Sequence, residues 1–203
     1  MKTLSKELQN KIQKEIAGEI QTDAASRVIY STDASIYQQE PLGVVFPRRA
    51  EDLPALVSIC AEYQVPVLPR GAGSSLAGQT VGRALVVDFS RHMQWIEEIN
   101  PEERTAWVQP GVVLSTFNQA AAKYQLQFGP DPASADRATF GGIFGNNSTG
   151  AHSILFGMSA DHLLEAETTL ADGSQAAFKM RSLDELHKAA AGSGPGMGRT
   201  VSE

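Results

Sequence analysis

Cysteine is nearly absent: the 203 residues hold one, at position 60. A disulfide framework, a four-cysteine zinc site and an iron–sulfur cluster ligated within this chain are excluded with it. A reducing, cytosolic compartment is the expected setting, with peripheral attachment to the inner face of a membrane left open. Basic excess is also missing. Lys and Arg number 17 against 23 Asp and Glu, a formal charge of −6, the wrong sign for a nucleic-acid binder that neutralises phosphates. No apolar run reaches the roughly 18 residues of a membrane span. Nor do the first twenty residues read as a signal peptide, because Leu4, Leu8, Ile12, Ile16 and Ile20 recur every fourth position among Lys, Glu and Gln. That stripe marks an amphipathic helix within residues 1–24.

What is present suffices for a packed core, with 42% apolar and 20% charged residues. After a turn-rich stretch at Ser31-Thr32-Asp33-Ala34-Ser35, Val44-Val45-Phe46 reads as a strand stopped by Pro47. A helix over 51–63 tolerates Pro54 in its first turn and offers Leu53, Leu56, Val57 and Cys60 to the core. Cys60 is then a small buried hydrophobe. A short buried strand over 65–68, a glycine-rich loop and a strand over 84–88 follow. Residues 95–99 and 105–109 form a hairpin around Asn100-Pro101-Glu102-Glu103. A helix over 113–124 shows Val113, Phe117, Ala120 and Tyr124 on one face. Strands over 163–170 and 175–180 flank an Ala-Asp-Gly turn, and 183–191 suits a helix. Parallel crossover units mixed with antiparallel ribbons make an α+β protein of two subdomains, one small parallel sheet with helices plus one antiparallel sheet. The boundaries fall at 25–90 and 91–203. The tail stops without a closing strand, which leads us to expect a piece of a longer protein.

Glycine is concentrated in two places. Pro69-Arg70-Gly71-Ala72-Gly73-Ser74-Ser75-Leu76-Ala77-Gly78-Gln79-Thr80 follows a strand, where a curled backbone can aim successive N–H groups at one anion. Ser74, Ser75 and Thr80 add hydroxyls, and Arg70 a guanidinium fork. A phosphate or pyrophosphate is the expected anion, and a plain flexible loop is the bland reading. Gln79 stands where a nucleoside-triphosphate loop, G-x-x-x-x-G-K-S/T, requires Lys, so ATP hydrolysis is disfavoured. Leu76 replaces the third glycine of a dinucleotide fingerprint, so that mode of NAD binding is disfavoured too. The second segment, 129–150, places Pro130, Asp131 and Ser134 in a proline-held turn. Thr139 caps a short helix there, and Gly141-Gly142 admits a close neighbour. Asn146, Asn147, Ser148 and Thr149 offer neutral donors and acceptors suited to a planar heterocycle, or, on the bland reading, left-handed turns.

In this order the segments resemble the flavin domain of the vanillyl-alcohol-oxidase type, or PCMH-type, FAD-binding oxidoreductases, and within them the D-lactate, glycolate and D-2-hydroxyglutarate dehydrogenase branch. The resemblance runs through Val65-Pro66-Val67-Leu68-Pro69-Arg70-Gly71-Ala72-Gly73-Ser74-Ser75, Val87-Asp88-Phe89-Ser90-Arg91, Gln109-Pro110-Gly111-Val112, Gly129-Pro130-Asp131-Pro132-Ala133-Ser134, Thr139-Phe140-Gly141-Gly142 and Ala171-Asp172-Gly173. It implies that residues 25–203 bind FAD. Gly71, Ala72, Gly73, Ser74 and Ser75 would hold the pyrophosphate, with Gln79 and Thr80 nearby and Arg70 as its charge partner, a surface salt bridge being the alternative role for Arg70. Pro130, Asp131, Ser134, Thr139, Gly141, Gly142, Asn146 and Gly150 would line the ribityl chain and isoalloxazine. His152 is the one candidate for covalent flavin attachment, with a surface or hydrogen-bonding role the expected alternative.

The resemblance further implies oxidation of a small 2-hydroxy acid by hydride transfer to flavin. A C-terminal cap domain, and in some relatives an iron–sulfur region, would supply the substrate-binding and base residues. No catalytic residue is assigned here, and the chain alone is expected to be inactive and to hold FAD weakly. The alternatives are an NADPH-dependent reductase of the same superfamily acting on a UDP-sugar enolpyruvyl ether, and a non-catalytic flavin-binding module. Pro-Asp-Pro-Ala-Ser and Asp88-Phe89-Ser90 favour the hydroxy-acid branch.

Overall fold

Helix α1 (Lys6–Glu15) begins where the Ser5 hydroxyl accepts the Leu8 N–H at 3.2 Å, which satisfies one of the unpaired donors of a first turn. The computed structural model describes residues 3–179. Leu4, Leu8, Ile12 and Ile16 are buried as the stripe requires, while Ile20 belongs to β1 (Glu19–Gln21). There follow α2 (Ala24–Ile29), β2 (Gly43–Phe46), α3 (Asp52–Glu62), β3 (Val67–Arg70) and β4 (Leu85–Asp88). The sheet runs β1-β2-β4-β3, with β1 antiparallel to β2 and the other pairs parallel.

Strands β2 and β4 are buried on both faces, the reason for their unbroken apolar runs. Val45, Leu85 and Val87 pack under α1 and against Leu56, Ile59 and Cys60 of α3. Val44, Phe46 and Val86 face the other way, toward Tyr30 and Leu68. Each such buried aliphatic contributes roughly 1.5–3 kcal/mol. The exposed Lys11–Glu62 pair at 2.6 Å belongs to a class worth about 0–1 kcal/mol, so the core sets the stability. Burial pushes the Cys60 thiol up to about 11, which removes it from thiolate chemistry.

The stretch from residue 96 to 179 holds two separate antiparallel hairpins, β5 (Ile96–Asn100) with β6 (Thr105–Val108) and β7 (Glu165–Thr169) with β8 (Gln175–Lys179). Helices α4 (Leu114–Ala122), α5 (Phe140–Gly145) and α6 (Ser153–Phe156) and a 3-10 turn (Ser159–His162) complete it. Its core joins Val112, Leu114, Ala138 and Ile143 to edge-to-face aromatics, among them Phe117 on Phe140 at 5.1 Å and Phe128 on Phe140 at 5.4 Å.

Two expectations need correcting. The third strand is displaced to Val67–Arg70 and is a half-buried edge, not a buried strand, which is why Pro69 is tolerated within it. The buried face of α4 is Leu114 and Ala121 with Phe117 packed beside them, while Tyr124 lies outside the helix, 39% exposed. The start of α3 is tied down by Asp52, whose carboxylate accepts the Ala17 and Arg48 N–H groups at 2.9 and 2.8 Å. The helix expected over 183–191 and the last residue of the final strand, Met180, lie outside the described residues.

Candidate functional site

The parallel strand β3 delivers the first glycine loop at its carboxyl end, where open α/β sheets place ligands. Arg70 closes that strand, and the loop 71–82 follows. Among the described residues, no N–H group from Gly71 to Leu76 finds a protein acceptor, so a run of backbone donors is left unspent. Gly73 adopts φ +67°, the left-handed turn an anion nest needs. Ser75 closes the curl by accepting the Ala77 and Gln79 N–H groups at 3.2 and 3.3 Å, and its hydroxyl donates to the Gln79 side chain. Ala72 is exposed and Ser74 half-buried.

The second segment reaches the same place from the later part of the chain. A Cβ on Gly71 would overlap the Thr139 Oγ1, so the two chains touch at that point. Gln79 Nε2 then donates to Asn146 Oδ1 at 3.0 Å, a second bridge across the crevice. Thr139 stands at the first cap of α5 as expected, but its hydroxyl makes no capping bond. Instead Oγ1 is buried without a partner, in a residue 2% exposed, and faces the start of the glycine loop. An orphaned buried hydroxyl costs about 1–3 kcal/mol unless a ligand completes it.

Other expected positions are spent on framework. Gly141 sits against Pro110 and donates its N–H to that carbonyl at 2.9 Å; Gly142 is exposed beside it. Ser134 accepts the Arg137 and Ala138 N–H groups through its carbonyl. Pro130 is buried, and Gly150 lies so close to the Pro130 and Asp131 carbonyls that no side chain could replace its hydrogen. Asp131, at φ +49°, points its carboxylate to His152 Nδ1 at 3.5 Å.

Arg70 departs most from its expected role as a fork on the anion. Nη1 donates to the Thr80 and Tyr30 carbonyls at 3.1 and 3.4 Å, and Nη2 to Thr32 at 2.9 Å, with the guanidinium over the Tyr30 ring. Burial lowers its pKa, against the opposing pull of Tyr30, Asp88 and Asp33. The segment that receives it, 30–37, is a part of the site the sequence did not single out. Its only local signal is the Ser31–Ser35 turn run, and nothing in that run points to a loop forty positions on.

These features are those of a family. Residues 41–178 match the FAD binding domain model, and the chain belongs to that family. It is 39% identical over 161 residues to D-2-hydroxyglutarate dehydrogenase of Pseudomonas putida, covering 78% of this chain and 16% of that one. It is 38% identical over 152 residues to glycolate oxidase subunit GlcD of Bacillus subtilis, covering 73% and 32%. The chain thus spans a third or less of these relatives' lengths. Among solved structures it superposes on alkyldihydroxyacetonephosphate synthase with a TM-score of 0.77 at 22% identity, covering 88% of this chain and 35% of that one. For 6-hydroxy-D-nicotine oxidase from Arthrobacter nicotinovorans the TM-score is 0.74 at 22% identity, covering 95% and 41%. These likenesses place the fold among PCMH-type FAD-binding folds. The cofactor is FAD, and the residues present fit it: unspent N–H groups suit a diphosphate and an orphaned hydroxyl awaits an acceptor or donor. A cavity of about 430 Å³ elsewhere, between the start of α1 and the α3–β3 turn, borders neither glycine segment.

Proposed function

We propose that this chain is the flavin seat of an oxidoreductase that converts a small 2-hydroxy acid, of the D-lactate, glycolate or D-2-hydroxyglutarate kind, to the 2-oxo acid. The observation that carries the reading is the meeting of Gly71 with Thr139 and of Gln79 with Asn146, which joins two glycine-bearing segments in one crevice. In this assignment the N–H groups from Gly71 to Leu76 bind the diphosphate, and Ser74 adds a hydroxyl. The Thr139 hydroxyl completes the boundary between diphosphate and ring, and Asn146 borders the ring side. Bound flavin supplies two-electron acceptance from a carbon–hydrogen bond. The chain's own residues bind it, orient it and shield its charged linkage with neutral dipoles.

The names of the relatives support the substrate class, and their greater length supports a further domain that contributes substrate-binding and base groups. Ile154, fully exposed, and Leu155 on α6 offer such a domain an apolar footing. No helix among the described residues is long and apolar enough to cross a membrane; we place the protein in the cytoplasm on the strength of its single cysteine. The test is to purify the full-length protein, titrate FAD, and assay the three hydroxy acids with an artificial electron acceptor. A yellow protein that reduces the acceptor with one of them is expected. FAD binding without turnover of any 2-hydroxy acid would overturn the substrate assignment, and no FAD binding would overturn the seat itself.

A further inference from the structure

We infer that Arg70 is a positioning residue that preorganises the diphosphate loop from behind, in concert with the strap 30–37, and does not itself grip the anion. The inference rests on the flavin-seat reading and adds to it the device that holds the seat open. Arg70 stands at the loop's entrance and Thr80 at its exit, and the 3.1 Å bond from Nη1 to the Thr80 carbonyl staples one to the other. Nη2 donates at 2.9 Å to Thr32, and so anchors the staple to the strap. From the strap, Ala34 N–H donates to the Gly73 carbonyl at 3.0 Å, and the Asp33 carboxylate accepts the Thr80 hydroxyl at 2.9 Å. The Tyr37 ring backs Gly78, leaving 2.6 Å where a Cβ would stand. The Tyr30 hydroxyl donates to Asp88 at 2.5 Å and fixes the strap to the end of β4.

The sense of these bonds matters. Carbonyls at Gly73 and Thr80 are consumed on the strap side, while the N–H groups from Gly71 to Leu76 receive no partner. A loop pinned from behind at Gly73 and Thr80, with its leading donors left free, is prepared for an anion before the anion arrives, so less ordering entropy is lost on binding. The guanidinium is also a half-buried cation held by three carbonyls and the Tyr30 ring, with no carboxylate within 4 Å among the described residues. It always carries its charge, and a Cβ on Gly73 would overlap it, so that charge lies directly beneath the nest.

The experiment compares FAD with riboflavin, which lacks the diphosphate, on the deflavinated full-length protein. Arg70→Lys keeps a charge but cannot donate to Thr32, Tyr30 and Thr80 together. The expected result is a Kd for FAD raised roughly 10- to 100-fold, the scale of a charged hydrogen bond or two, with the Kd for riboflavin unchanged. Equal weakening of both ligands, or no change in FAD affinity, would overturn the inference. Should Arg70→Lys fail to fold, Thr80→Val removes only the bond to Asp33, and the same selectivity is expected at roughly 3- to 10-fold. A wild-type protein that binds riboflavin as tightly as FAD would instead bring down the flavin-seat reading.

Discussion

The loop 71–82 and the segment 129–150 are both rich in glycine, but they are held in opposite ways. The loop is fixed from outside: its Gly73 carbonyl goes to the strap, its Thr80 carbonyl to Arg70 and its Thr80 hydroxyl to Asp33, while its leading N–H groups go to nothing. The segment is fixed from within, stitched by backbone bonds to 110–114 and built onto the aromatic core around Phe140 and Phe128. One buried hydroxyl, that of Thr139, is left without a partner. Glycine in the loop therefore keeps donors free for a ligand, whereas glycine in the segment lets two chains approach closely. Substitutions in the first should cost binding, and in the second stability.

Gly73→Val should break the comparison most strongly on the binding side. A β-branched residue at φ +67° costs about 1–2 kcal/mol, and its side chain would displace the Arg70 guanidinium. FAD retention after gel filtration should be lost, an affinity drop of roughly 100-fold or more. Gly150→Ala tests the other half. Its methyl group would overlap the Asp131 carbonyl, so stability should fall by about 2–3 kcal/mol, read as a Tm lowered by roughly 5–10 °C in the absence of flavin.

Thr139→Val sharpens the distinction, because Thr139 lies in the segment and its hydroxyl faces the loop. Deleting a buried hydroxyl that has no partner should leave the apoprotein's Tm unchanged or raise it slightly, while FAD affinity falls roughly 10-fold. A lower apoprotein Tm with unaltered affinity would assign Thr139 to the framework. The smallest effect expected is acid sensitivity of the loop. Partial burial of Asp33 works against its ionisation, but hydrogen bonds from Ser35 and Thr80 outweigh this and hold its carboxyl below the usual range. A depressed carboxylate stabilises the fold above its unfolded pKa, about 4, and that contribution disappears as pH falls through the folded value. Flavin release should therefore begin below about pH 4, and Asp33→Asn should flatten that limb of the release curve.

Much of the architecture was legible because it rests on local patterns. The α1 stripe, the doubly buried runs of β2 and β4, both hairpins and the helix opened by Thr139 all follow from spacing over a few residues. The errors arose where a neighbour distant in sequence decides the outcome. Strand β3 could not be known as an edge from its own residues, since the parallel order puts β4 between it and β2. The apolar face of α4 turned toward Leu114 and Ala121 because the aromatic cluster lies on that side. Arg70 looked like a phosphate fork, because a guanidinium beside glycines suits one; three carbonyls from outside the loop's leading stretch claimed it first.

By itself, the sequence determined the element order, the two glycine-bearing segments and, through their succession, the family of FAD-binding domains. Those are matters of backbone permission and periodicity, which act between near neighbours. Only the tertiary structure decided that Gln79 meets Asn146 across 67 positions, that Gly71 lies on Thr139, and that Arg70 turns away from the anion toward the strap. Such pairings are chosen by how the sheet and the aromatic core pack, and no residue carries a local mark of the partner that packing will bring to it.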